Sequence, residues 1–213
     1  MNKLTNFLPE EILNKFEVYN YNHAAEILTQ SFPSELGEIL NVLRTLEIHN
    51  SEITAPGGSE STIPRKFSTA LAPLNWRELR ITGDLLIKFY PREKGAFLKQ
   101  PKMQKTIENY IDGHNIDFIK GRVAIDIEWN SKDQTFDRDL YAMRTYYECD
   151  IISVGIIITR AQSLNSVFKK LDVLSKYGAS TTWIGKLLPR LDSRRHGGCP
   201  ILAIGITENC VTE

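Results

Sequence analysis

Asp126 and Glu128 stand two residues apart inside the apolar run Val123-Ala124-Ile125-Asp126-Ile127-Glu128-Trp129, and Asp117 lies just upstream. A strand has a side-chain period of two, so both acids project from one face of a sheet while Ile125 and Ile127 project from the other. Two carboxylates on one face of so apolar a strand repel each other and lose hydration, a cost that a cation relieves. Asp117 ends a preceding strand and can fold back beside them. Three convergent carboxylates make an all-oxygen donor set suited to a hard divalent ion such as Mg2+, which usually keeps several of its waters. In phosphodiester hydrolysis such an ion activates the attacking water and neutralises charge on the transition state. The plainer alternative puts Asp126 and Glu128 on a solvated face, paired with Lys120 or Arg122, and the spacing D-x8-D-x-E does not by itself separate the two. A carboxylate pair flanking a glycosidic bond is a third reading, but Trp129 is the one aromatic platform nearby.

The elements that must position these acids are legible in outline. Residues 116–120 and 122–129 read as strands joined at Gly121, and 136–148 as a helix with Phe136, Leu140, Met143 and Tyr147 on one face. A buried strand over 151–159, a helix over 163–176 and a last strand over 201–206 follow. Upstream, a helix starts at Pro9-Glu10-Glu11, and helical spacing recurs over 21–29 and 34–46. Residues 51–64, rich in Ser, Thr, Gly and Pro, read as a loop. Alternation around Thr82-Gly83-Asp84 predicts a hairpin over 76–90, and 102–110 looks helical. The fold class expected is α/β (α+β), a mixed central β-sheet flanked by helices. The whole chain, 1–213, is expected to form a single domain, with its catalytic core over about 100–210 and a helical part over about 8–50.

Charge and cysteine usage narrow the class. Lys and Arg number 26 and Asp and Glu 26, so the net charge is zero and a uniformly basic nucleic-acid coat protein is disfavoured. A nuclease still fits, because acids for metal and cations for phosphate cancel in the sum. Cys149, Cys199 and Cys210 have neither disulfide nor zinc-ligand spacing. Apolar runs are too short to span a bilayer, and no secretory signal opens the chain, so no membrane partner and a cytoplasmic location are expected.

Ile116-Asp117-Phe118, followed by Val123-Ala124-Ile125-Asp126-Ile127-Glu128, resembles the active-site hairpin of type II restriction endonucleases of the BglII and BstYI group, in the PD-(D/E)XK nuclease superfamily. Tyr21-Asn22-His23-Ala24-Ala25-Glu26-Ile27-Leu28 and Pro200-Ile201-Leu202-Ala203-Ile204-Gly205-Ile206 are similar to an opening helix and a last strand of that group. The resemblance implies a restriction-endonuclease-like core and a Mg2+-dependent homodimer, with Mn2+ able to substitute, that cleaves both strands of double-stranded DNA at a short palindromic site centred on GATC. It implies Asp117 as the metal-bridging acid, Asp126 as a second ligand with the backbone carbonyl of Ile127 beside it, and Glu128 where the superfamily usually has lysine. A glutamate cannot offset charge as lysine does, so a second metal or a general-base role is the expectation there. The group also draws an acid or amide from an upstream helix, for which Gln104 and Glu108 are the candidates. Two other readings remain: a structure-specific repair or resolvase nuclease of the same superfamily, and a non-catalytic DNA-binding relative.

DNA contacts are expected at two places. The turn Asn130-Ser131-Lys132-Asp133-Gln134 follows the catalytic strand and precedes a helix N-terminus, where free N–H groups favour phosphate and Asn, Gln or Lys can read base edges. The alternative is a polar turn with Asp133 or Asp137 as helix cap. Lys186, Arg190, Ser193, Arg194, Arg195 and His196 form a local basic cluster ending in Gly197-Gly198, suited to a groove. Arg65, Lys66, Arg77 and Arg80 are a weaker phosphate-binding stretch. The helix over 136–148, with Tyr141 and Tyr146 widening its stripe, is expected to help form the dimer.

Overall fold

The structure is a computed structural model describing residues 3–56, 61–113 and 115–213. In chain order the first elements are α1 (Glu10–Lys15), β1 (Phe16–Tyr21), α2 (Ala24–Ser31), α3 (Pro33–Thr45), β2 (Ile48–His49), α4 (Asn50–Thr54), α5 (Thr62–Leu71) and β3 (Arg77–Arg80). Next come β4 (Gly83–Phe89), β5 (Arg92–Glu93), β6 (Ala96–Phe97) and β7 (Met103–Ile111). The chain continues through β8 (Asn115–Lys120), β9 (Val123–Glu128), α6 (Thr135–Glu148), β10 (Val154–Arg160) and α7 (Leu164–Lys170). It closes with α8 (Ile184–Asp192), β11 (Ile201–Ile206) and β12 (Val211–Thr212).

The chain divides into two compact units: Met1–Leu79 with Ile116–Glu213, and Arg80–Asn115. The first unit is built on a six-stranded mixed sheet in the order β1-β11-β10-β9-β8-β3. β9, β10 and β11 run parallel, while β1 and β8 are antiparallel to their neighbours. Every residue of β9, β10 and β11 is buried, as expected for parallel strands covered on both faces. One face carries Ile125, Ile127, Ile156, Ile158, Leu202 and Ile204 into a cluster with Leu28, Leu43, Phe67, Trp76 and Phe168.

The other face receives α6. A Cβ on Gly155 would stand 2.4 Å from Met143 Sδ, so the glycine leaves the space that the Met143 side chain of α6 fills against the sheet. Phe136, Leu140 and Met143 are fully buried beneath the helix, as the stripe predicts. Tyr146 is also buried, with its hydroxyl donating to the Leu79 carbonyl at 2.7 Å, whereas Tyr147 is exposed. Gly121, at φ +54, turns β8 into β9 with Lys120 paired to Val123.

The second unit pairs β4 with β7, antiparallel and bulged between Gly83 and Leu85, and joins β5 to β6 through Lys94 and Gly95 at positive φ. Here the structure corrects two expectations. Residues 102–110 are not a helix but most of β7, and the 76–90 hairpin does not form, because β3 joins the main sheet and β4 pairs with β7. The expected loop over 51–64 instead begins and ends in α4 and α5, and residues 57–60 of it lie outside the described residues. β1 had no counterpart in the reading of periodicity, and 184–192 forms the helix α8 within the basic cluster. The helix expected over 163–176 is shorter, ending at Lys170 and followed by a 3-10 turn over Leu174–Tyr177. Among the described residues no helix is long and apolar enough to cross a membrane.

Candidate active site

The ladder between β8 and β9 runs from Lys120 and Val123 to Phe118 and Ile125. Beyond that point side chains replace it. The Asp117 N–H donates to Asp126 Oδ1 at 3.0 Å, and the Ile127 N–H donates to Asp117 Oδ2 at 3.0 Å. The two aspartates therefore stitch the strands where the backbones part, and each is fixed by the other's strand. This locks carboxylates in place without long, flexible side chains, as a preorganised site requires. Asp126 is 2 % exposed and Glu128 is also buried. Asp126 Oδ2 and Glu128 Oε2 have no hydrogen-bond partner. The solvated-face alternative does not hold: Lys120 pairs with Glu38, and Arg122 with Asp150.

Two neighbours on α6 complete the electrostatics. Asp139 is buried with an unpartnered Oδ2, and Arg138 Nη2 lies 3.9 Å from Glu128 Oε1. Burial, then the charges of Asp126 and Glu128, hold the Asp139 carboxyl well above the ordinary aspartate range. Burial, then the charge of Asp117, do the same to Asp126. Burial also raises Asp117, against the Ile127 N–H bond and helped by the charge of Glu78. Glu128 is raised by burial against a hydrogen bond from Ser131. Four carboxyls that resist ionising together form a site short of positive charge. They line or adjoin a cleft of about 470 Å3 whose walls include Ser68 of α5, Arg77 and Glu78 of β3, Asp117, Ile127 and Glu128.

Among the described residues no three His, Cys, Asp or Glu side chains close into a ready-made metal cage. The donor chemistry nonetheless suits a hard cation: the unpartnered buried atoms Asp126 Oδ2 and Glu128 Oε2 are anionic oxygens, and no sulfur or imidazole stands among them. Glu78, Arg138 and Asp139 were not singled out from sequence. Asp139 had a signal, since it lies three residues after Phe136 and four before Met143, on the apolar stripe. Glu78 and Arg138 had none.

The expected DNA-contact residues separate into two groups. The turn after β9 is held firmly. Asn130 takes φ +62, Ser131 O accepts from the Thr182 N–H at 2.8 Å, Lys132 bridges Thr181, and the Asp133 N–H donates to Ser180 O at 2.9 Å. Neither Asp133 nor Asp137 caps α6; Asp133 pairs with Lys186 at 3.6 Å and Arg190 at 3.9 Å. In the basic cluster, Arg190 grips Asp137 with Nε and Nη2 at 3.1 and 3.2 Å, and Arg195 pairs with the same carboxylate. Arg194, at φ +58, is exposed, as is Ser193. His196 is a correction: it is 1 % exposed, its Nδ1 lies 2.7 Å from the Cys199 carbonyl, and its ring meets Tyr21 edge-on. Its position holds the glycine-rich turn from inside and offers no surface to DNA. Of the weaker stretch, Lys66 pairs with Glu52, and Arg77 Nη1 donates to the Ala72 and Trp76 carbonyls. Gln104 and Glu108, candidates for an upstream helix, stand on β7 of the second unit.

No curated protein matches the chain. A family model described as restriction endonuclease BglII/BglIII matches residues 16–206, from the first residue of β1 to the last of β11. That span takes in the carboxylate hairpin, α6 and the whole central sheet. The chain therefore belongs to the BglII/BglIII restriction endonuclease family, as a type II site-specific deoxyribonuclease that binds double-stranded DNA.

Proposed function

We propose that the carboxylates of Asp117, Asp126 and Glu128 carry Mg2+-dependent hydrolysis of both strands at a short palindromic site centred on GATC. The observation that supports this most is the pair of unpartnered, buried oxygens on Asp126 and Glu128, on a strand stitched to Asp117 by two hydrogen bonds. Asp117 and Asp126, with the Ile127 carbonyl between the acids, would hold the ion, and Mn2+ would substitute for it. The bound ion supplies water activation and neutralises charge on the transition state.

The chain's own groups do the rest. Glu128 is placed to accept a proton from an attacking water or to complete the ligand set. Arg138 supplies next to Glu128 the positive charge that the superfamily's lysine would bring. Glu78, from the cleft wall beside Asp117, takes the part of the additional acid. Asn130, Ser131, Lys132 and Asp133 meet the major groove, and Ser193, Arg194 and Arg195 approach DNA from the basic turn, with Arg190 orienting them through Asp137. A palindromic target has two-fold symmetry, so a C2 homodimer in the cytoplasm places one centre on each strand. Tyr141 and Tyr147, the exposed tyrosines of α6, belong to that interface in this reading.

Digestion of a plasmid of known sequence in Mg2+ and in EDTA, with sequencing of the ends, tests the proposal. Discrete fragments with GATC at every end are expected. Cleavage confined to branched or mismatched DNA would favour a structure-specific nuclease, and binding without cleavage a non-catalytic relative.

A further inference from the structure

The C-terminal end of β10 holds a buried cation without an anion. Arg160 is 2 % exposed and lies one residue beyond Thr159, the register partner of Glu128. Alternation therefore turns Arg160 to the face opposite Asp126 and Glu128. Its guanidinium sits 5.8 Å from the Phe168 ring centroid and 5.7 Å from that of Tyr177. Nη2 donates to the Tyr177 carbonyl at 3.2 Å and to Thr181 Oγ1. Nε has no partner. Among the described residues no carboxylate forms an ion pair with this side chain, whose recorded hydrogen-bond partners are the Tyr177 carbonyl and Thr181 Oγ1.

A buried charge costs several kcal/mol unless paired, and removing its counter-ion is strongly destabilising. Two aromatic rings and two neutral oxygens offset part of that cost but bring no opposite charge. Burial pulls the guanidinium pKa down only to about 10, so the cation persists at neutral pH. The side chain borders a cavity of about 260 Å3 whose walls also carry Gln162, Asn165, Gly178 and Trp183. Those walls include the amide side chains of Gln162 and Asn165 and no acid.

We propose that this cavity is an oxyanion site that receives a phosphate group, held by the Arg160 guanidinium that borders it and the amides of Gln162 and Asn165. The phosphate comes either from the DNA backbone, at a position other than the scissile one, or from free phosphate; only the first source rests on the nuclease reading above. Occupancy would bear on DNA reading in either case. Thr181 accepts from Arg160 while its backbone bridges Lys132, and the neighbouring Ser180 and Thr182 bond to Asp133 and Ser131. The anion site and the turn after the catalytic strand therefore share one support.

The test leaves Arg160 in place, because its loss could unfold the sheet. Gln162 is exposed, and Gln162→Glu puts a carboxylate at the cavity to compete with phosphate. Two readouts are compared between the full-length wild type and this variant. One is the melting temperature in inorganic phosphate against chloride at equal ionic strength. The other is the slope of log affinity for cognate DNA against log salt, measured without Mg2+. A phosphate-specific rise in wild-type melting temperature that vanishes in the variant supports a free-phosphate site. A salt slope smaller by about 1 in the variant, with no phosphate-specific shift in wild-type melting temperature, supports a backbone phosphate. No phosphate shift in wild type, together with an unchanged slope in the variant, overturns the proposal. Should wild type fail to bind DNA at all, the nuclease reading falls, and the melting comparison still decides the anion site.

Discussion

Asp126→Asn should abolish cleavage and make the metal-free protein more stable. The Asp126 side chain is buried, Oδ2 has no partner, and the charges of Asp117 and Glu128 press on it. Asparagine keeps the shape and the acceptor for the Asp117 N–H, and its amide offers a donor to the surrounding carboxylates. Leaving a buried polar group unsatisfied costs about 1–3 kcal/mol, and more when it is charged. For a chain of this length roughly 2–4 °C accompany each kcal/mol, so a gain of about 2–12 °C is expected in EDTA at pH 8. The sign with pH follows from linkage. The folded-state pKa of Asp126 is raised well above the ordinary 3.8. Between those two values the folded protein holds a proton that the unfolded chain has released. The stability contributed by this group is thus fully present below about pH 3.8 and is lost as pH rises through the folded value. The difference between variant and wild type should therefore shrink as the solution is acidified. Mg2+ at a hundredfold excess over its Kd should stabilise wild type by about 2.7 kcal/mol and leave the variant nearly unmoved. Melting curves from pH 5 to 8, in EDTA and in Mg2+, read all of this, with plasmid cleavage alongside. A variant that melts below wild type in EDTA at pH 8, or that cuts at the wild-type rate, would refute the reasoning.

Other perturbations separate reading, binding and assembly. Asp137→Asn releases Arg190 and Arg195 from their shared carboxylate, so non-specific DNA affinity should rise and the salt slope steepen, as gel shifts on random-sequence DNA would show. Arg194→Ala should lower affinity and reduce the slope by about 1 if it meets phosphate, or relax specificity at one base pair by about 1–3 kcal/mol if it reads guanine; unchanged binding removes it from the interface. Tyr146→Phe removes the bond to the Leu79 carbonyl and should cost about 0.5–1.5 kcal/mol in denaturant titration with kcat little changed. Tyr141→Asp with Tyr147→Asp should halve the sedimenting mass and uncouple cleavage of the two strands; a wild type that sediments as a monomer yet cuts both strands together would exclude the α6 dimer.

The sequence made the carboxylate hairpin legible because its cues are local. Period-two alternation in β9, a glycine at the turn and an apolar stripe on α6 each lie within one element. The residues that failed to read are those whose role is set by a distant partner. Met103, Thr106, Ile107 and Tyr110 satisfy helical spacing, yet the segment is a strand because β4 supplies backbone partners for it. β3 and β4 are strands as alternation suggests, but each pairs elsewhere, with β8 and β7, and no hairpin forms. The basic cluster misled for a related reason. A run of Arg and His gives no sign that Asp137, more than fifty residues upstream, occupies two of the arginines, or that His196 turns inward.

The same geometry explains how a chain of zero net charge can hold DNA. Its acids and cations are not mixed evenly. Asp117, Asp126, Glu128 and Asp139 gather on one face of the sheet with Arg138 beside them. Across the turn, Asp133 and Asp137 are matched by Lys186, Arg190 and Arg195. The first group lacks positive charge and suits a metal ion. In the second, three cations share two carboxylates, a local surplus of positive charge that would suit phosphate under the proposed DNA contact. The turn over 130–134 lies between the two groups and is anchored on both sides, by β9 and by the Ser180–Thr182 backbone. A base contact made there would act directly on the strand that carries Asp126 and Glu128. Discrimination between sequences can then appear in the cleavage step as well as in binding.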